Sequence, residues 1–103
     1  MENTQKELDF LAHLAAKADK LKWRAAANAA GVYETQLKDV YTILVYPQIA
    51  RVPPLAVFQD DAGNELVRWE GNPNSQALLD AARSQDERIN HALQEIMGAL
   101  ERL

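Results

Sequence analysis

WRAAANAAGVYETQLKDVYTILVY, residues 23–46, is the stretch whose reading decides the fold. Its first part is alanine-rich and runs to Gly31, where glycine's access to positive φ ends a helix at little cost. Ala26, Ala27 and Ala30 are small enough to let a second helix cross closely, and Val32, Leu37 and Val40 can fill the corner between the two. The expectation is one short helix over 23–30, a turn at Gly31, and a second helix over 33–44 packed at a steep angle. The tail, Val40 to Tyr46, carries a competing signal. It is β-branched and aromatic, which favours a strand, while Val40, Ile43 and Leu44 also fit one helical face. Pro47 stops either element. The helical reading is followed to residue 44.

Working outward toward the N-terminus, Thr4-Gln5-Lys6-Glu7 reads as a capping box. Leu8, Leu11, Ala15 and Ala18, with Phe10, Leu14 and Leu21 beside them, form an apolar stripe at helical period, so a helix is expected over 5–20. His13 stands on its flank without a second ligand at metal spacing. The opening MENTQKELDF is acidic and polar and does not read as a secretory signal.

Toward the C-terminus, Pro53-Pro54 is a rigid extended entry, and Leu55 to Gln59 reads as a strand. Asp60-Asp61-Ala62-Gly63 is a turn, and Glu65-Leu66-Val67-Arg68-Trp69 alternates as a returning strand should. A β-hairpin is expected over 54–70. After the loop Gly71-Asn72-Pro73-Asn74, with Asn74 or Ser75 as the cap, a long helix is expected over 75–101. Ile89, Leu93, Ile96, Leu100 and Leu103 are spaced four, three, four and three, which is a heptad seam. Leu79 and Ala82 continue it backward, and Asp86 interrupts it. The seam can pair two chains or cover the domain's own core; self-association is preferred. The expected fold class is mainly α with one β-hairpin, divided into 1–72 and a C-terminal helix, 73–103.

The chain has 103 residues and a net charge of −4. That length supports one modest core, and 48% hydrophobic with 25% charged residues is the composition of a globular chain. No run of about 18 apolar residues is present, so no membrane span is expected. The absence of cysteine excludes disulfides and thiol chemistry and fits a cytoplasmic protein. The acidic excess falls in the second half. Lys17, Lys20, Lys22, Arg24 and Lys38 make a local basic face opposed only by Asp19 and Glu34.

Residues 23–44 resemble the helix-turn-helix of bacterial and phage transcription regulators, with an Ala-Gly-Val turn, alanines before it and aliphatics after it. The resemblance implies a homodimer on double-stranded DNA, with the hairpin as a winged-helix wing. In that reading Gln36 meets an adenine edge, Lys38 a guanine or phosphate, Thr35 a phosphate or thymine methyl, and Lys22, Arg24 and Tyr33 complete the DNA face. Arg68 on the wing could reach a phosphate, although Asp60 and Asp61 at the tip would repel one. A strand over 40–46 would leave the second helix too short for a major groove. Residues 49–71 also resemble, more weakly, the C-terminal half of thioredoxin-like domains, where a cis proline precedes a central hairpin. The alternative function is a non-enzymatic protein-interaction module with a protein partner on the C-terminal helix. No nucleotide-binding, metalloprotease or nucleophile motif is present, so no catalytic residue, metal ligand or cofactor is expected.

Overall fold

The run that could be helix or strand is a strand in the computed structural model, which describes residues 3–27 and 29–103. Among those residues, β1 (Arg24–Ala25), β2 (Tyr33–Leu37), β3 (Tyr41–Tyr46), β4 (Leu55–Gln59) and β5 (Glu65–Glu70) form one antiparallel sheet, each strand beside the next in sequence. α1 (Gln5–Ala16) and a 3-10 turn at Ala18–Lys20 precede the sheet, and α2 (Pro73–Glu101) follows it. The architecture is therefore α+β, a five-stranded meander with two helices, and not mainly α with a single hairpin.

The correction has a local physical cause. β3 is the middle strand, with Ile43 set between Thr35 of β2 and Phe58 of β4. Its outer-face residues Thr42, Leu44 and Tyr46 are themselves partly covered, and a strand covered on both faces reads as a nearly continuous apolar run, so its β periodicity is masked. Ile43 and Val45 are fully buried in the helix-facing layer, while Thr42, Leu44 and Tyr46 alternate onto the other face. Among the described residues no helix forms over 23–30 or 33–44, and the arrangement is not a helix-turn-helix. The alanine run is short, and isolated helices below roughly 12–15 residues are marginal in water. It becomes instead the two-residue strand β1 and a loop closed by the Ala26 N–H donating to the Val32 carbonyl at 2.9 Å. Asn28, within that expected helix, lies outside the described residues. Gly31 does take positive φ, +77°, but it serves this β1–β2 loop. The thioredoxin-like resemblance also fails: the connections are those of an antiparallel meander, and no cis peptide bond occurs among the described residues.

Three expectations hold. The capping box of α1 is complete, with the Glu7 N–H donating to Thr4 Oγ1 at 3.2 Å and the Thr4 N–H to Glu7 Oε1 at 2.9 Å. The β4–β5 hairpin forms, with a register shift at Phe58/Gln59. The long helix forms too, although its cap is Asn72, whose side chain accepts from the Asn74 N–H at 2.8 Å, with Pro73 in the first turn. Hairpin β4–β5 is built into the sheet beside β3 and is not a free wing.

The core is one layer between sheet and helices. Leu11 and Leu14 of α1, Ile43 and Val45 of β3, Ala56 of β4, Trp69 of β5, and Leu78, Leu79 and Ala82 of α2 meet there. Trp69 is the largest fully buried side chain in it. Its ring lies 6.1 Å from Phe10, and its Nε1 donates to the Glu7 carbonyl at 3.1 Å.

The two tight hairpins solve their turns differently. At β2–β3 the Val40 N–H donates to the Leu37 carbonyl at 3.3 Å, and both residues between them, Lys38 and Asp39, have positive φ, 54° and 60°. Turns of this kind ordinarily take Asn or Gly there, because a Cβ clashes in that conformation. At β4–β5 the Asp60 carboxylate organises the loop. It accepts from the Asn64 N–H at 2.8 Å, the Ala62 N–H at 3.0 Å and the Asn64 side-chain amide at 3.2 Å. The Asn64 backbone N–H, then its side-chain amide, hold the carboxyl below its ordinary value. A carboxyl with a lower value in the folded state stabilises the fold above the unfolded value, about 3.9, and loses that contribution as pH falls. Asp60→Asn is accordingly expected to flatten the acid limb of stability. Thermal midpoints measured from about pH 6 down to about pH 2 should fall less in the variant than in the parent. Parallel curves would contradict the role assigned to the carboxylate.

Candidate interaction surface

The six residues expected on a DNA-reading helix are distributed over the sheet instead. Lys22 is exposed just before β1. Arg24 on β1 is paired across the ladder with Glu34, Nε to Oε1 at 2.8 Å. Tyr33 points into the helix layer, where its hydroxyl donates to Asp86 Oδ2 of α2 at 2.9 Å. Partial burial, and then the Asp86 carboxylate, push the Tyr33 phenol upward. Thr35 is buried and its hydroxyl donates to the Lys22 carbonyl at 2.9 Å. Gln36 and Lys38 are exposed at the end of β2 and in the turn after it. The structure thus engages Tyr33 and Thr35 in internal contacts and pairs Arg24 across the sheet. Arg68, the expected wing cation, is held by Glu65 at 2.8 Å and Glu70 at 3.2 Å. These two carboxylates raise its already high pKa.

The five seam residues, in contrast, are all open; Ile89, Leu93, Ile96 and Leu100 lie on one helix and Leu103 just past its end. α2 divides at Asp86. Before it, Ser75, Leu78, Leu79 and Ala82 are buried, and the Ser75 hydroxyl donates to the Trp69 carbonyl at 3.2 Å. Gln85 then ties the helix to the chain that leads into β1. Its Oε1 accepts from the Trp23 N–H at 3.0 Å, and its Nε2 donates to the Leu21 carbonyl at 2.5 Å. Sequence reasoning passed over Gln85, because a glutamine in a helix carries no distinguishing pattern until its backbone partners are in place.

Beyond Asp86 the helix overhangs the domain. Ile89, Leu93, Ile96 and Leu100 are 53%, 57%, 62% and 61% exposed, and Leu103 is fully exposed. Met97, beside the seam, is 60% exposed. At 1.5 Å per residue, the segment 87–101 adds roughly 22 Å, in keeping with a long axis of 57 Å against 32 and 26 Å. The core-covering reading of the heptad pattern therefore holds for the first half of the helix, and the row in the second half is left exposed. The positions flanking the open seam are Asn90, Ala92, Met97 and Ala99. Charged side chains sit away from it, at Glu87, Arg88, Glu95, Glu101 and Arg102. His91, on the same outer face, lies 3.1 Å from Glu95.

Among the described residues no group of three or more His, Asp or Glu side chains is placed to hold a metal ion. No helix among them is long and apolar enough to cross a membrane. No family model, curated protein or solved structure matches this chain.

Proposed function

We propose that this protein is a non-enzymatic protein-interaction module and that the overhanging half of α2 joins two copies of it. The observation that carries the reading is the row Ile89, Leu93, Ile96 and Leu100, in line with a buried seam from which Asp86 separates it, and more than half exposed on every member. Contiguous apolar surface of this kind, rimmed by polar residues, marks interaction sites. A second copy suits it because the flanking positions are uncharged. Coiled coils ordinarily select partner and orientation through charges at those positions, and here no like-charge repulsion opposes self-pairing. The geometry supplies no recognition helix for DNA, so the interaction reading stands on the surface the protein does present.

The expected strength is moderate. Complete burial of a Leu or Ile side chain contributes about 1.5–3 kcal/mol, and association costs on the order of 4–15 kcal/mol in lost freedom. A short seam therefore gives a dimer in the micromolar range. Sedimentation equilibrium should show concentration-dependent dimers. Ile96→Asp should raise the dissociation constant at least about 100-fold, since a carboxylate is costly in an apolar seam. The sheet and core should be unaffected, as that side chain lies outside them. A parent chain that stays monomeric at several hundred micromolar would overturn the proposal.

A further inference from the structure

A groove of about 560 Å³ runs between α1 and the β2–β3 turn, away from the α2 seam. Phe10, Leu14, Leu21, Leu37, Tyr41 and Phe58 form its walls. Phe58 is the floor on which two other rings rest, Phe10 at 5.2 Å and Tyr41 at 5.1 Å between centroids. The rim is of a different chemistry. Lys17 caps the end of α1, Lys38 comes from the turn, and the exposed His13 and Gln36 also line the groove. No Asp or Glu lines the groove, in a chain with 15 acidic and 11 basic residues. Two acidic residues adjoin groove residues in sequence: Asp9 accepts from the Gln5 side chain at 2.9 Å, and Asp39 faces the adjoining depression by Lys22 and Arg24. Lys17 and Lys38 are in no ion pair among the described residues, whereas Arg24 and Arg68 are both matched by carboxylates.

Lys38 sits at φ +54°, in a turn where asparagine or glycine would be less strained. Asp39, outside the groove, shares this conformation at φ 60°, so the turn admits asparagine in place of Lys38 without added strain.

We propose that this groove binds a small amphipathic acid, a straight-chain carboxylate of medium length. Its alkyl chain lies against Phe10, Leu37 and Phe58, and its carboxylate meets the Lys17 and Lys38 ammonium groups. The volume is within the roughly 300–1,000 Å³ of small-molecule sites, which combine apolar walls with a few placed polar groups. The two lysines are the charged groups here and both are exposed at the rim, so the ligand is anionic at one end only.

The test uses the full chain carrying Ile96→Asp, so that its outcome is independent of dimer formation. Decanoate, decanol and decyltrimethylammonium are titrated below their micelle concentrations and followed by methyl and aromatic NMR shifts. Decanoate is expected to give saturable shifts at Leu14, Leu37 and Phe58. The cationic analogue should bind at least about tenfold more weakly, the scale of one charge-assisted hydrogen bond. Lys17→Gln with Lys38→Asn should weaken decanoate about tenfold while leaving decanol unchanged. Asparagine suits the turn conformation, so the paired variant keeps its fold. Absence of saturable shifts in the groove, or equal binding of decanoate and the cationic analogue, would overturn the proposal. So would an unchanged decanoate affinity in the lysine variant.

Discussion

Trp69→Ala is expected to destabilise the protein by about 3–5 kcal/mol, the range for removing a large aromatic side chain from a packed core. A domain of this size is held by roughly 5–15 kcal/mol in total, so the variant should sit close to its unfolding transition at 25 °C. The size of the effect follows from what the residue joins. Its side chain is fully buried on β5, the last strand of the sheet. Its indole N–H donates to the Glu7 carbonyl in the first turn of α1, and its own carbonyl accepts from Ser75 in the first turn of α2. One residue thus fastens both helices to the sheet, and the substitution removes the indole bond and the core packing while the backbone carbonyl that meets Ser75 remains. Trp69→Phe keeps most of the apolar contact and loses the indole bond, so a smaller loss, about 1–2 kcal/mol, is expected. Urea unfolding followed by far-UV circular dichroism measures both. A loss below about 1 kcal/mol for the alanine variant would show that the core does not depend on this contact.

Gln85→Ala should lower stability by about 2–3 kcal/mol, a large effect for a polar side chain that is only half-buried. The side chain acts as a bracket between α2 and the segment entering β1. Its removal leaves the N–H of the buried Trp23 and the Leu21 carbonyl without their partner, and an unsatisfied buried polar group costs about 1–3 kcal/mol. Gln85→Glu separates the two bonds. A carboxylate can still accept from the Trp23 N–H but cannot donate to the Leu21 carbonyl. The introduced carboxyl would regain a donor only when protonated, so its folded-state pKa should be raised. By linkage, this variant should recover stability as pH falls through that raised value and be weakest above it. Urea midpoints at about pH 7 and about pH 4.5 would show the recovery. Equal stability of Gln85→Ala and the parent would remove the bracket from the account.

The helix-turn-helix expectation and the observed sheet rest on the same residues, and the difference between them is instructive. The alanines of 25–30 have high helix propensity, and Gly31 occupies positive φ as expected. Neither fact distinguishes a helix end from a strand-to-strand loop. The discriminating feature was the tail, Thr42 to Tyr46, where β-branched and aromatic residues favour a strand. Once β3 forms, β2 pairs with it in register along Tyr33–Leu37, and the helical alternative loses out. Propensity is a weak prior that tertiary context overrides. The functional consequence is large, because Thr35 and Tyr33 turn inward to Lys22 and Asp86. The groove was not legible for a related reason. Phe10, Leu37 and Phe58 come from three separate elements, and nothing in their spacing places them together.

Local chemistry in the sequence alone determined the capping box at Thr4–Glu7, the β4–β5 hairpin, the long C-terminal helix and the heptad row along it. Each depends on residues a few positions apart, whose side chains meet through the period of one element or one turn. Tertiary structure alone decided that 23–46 is sheet, that Trp69 joins both helices to it, and that the heptad row is covered before Asp86 and open after it. Those outcomes depend on which strands lie side by side and on where the sheet ends beneath α2. They are set by contacts between residues far apart in the chain, whose free energy no local pattern records.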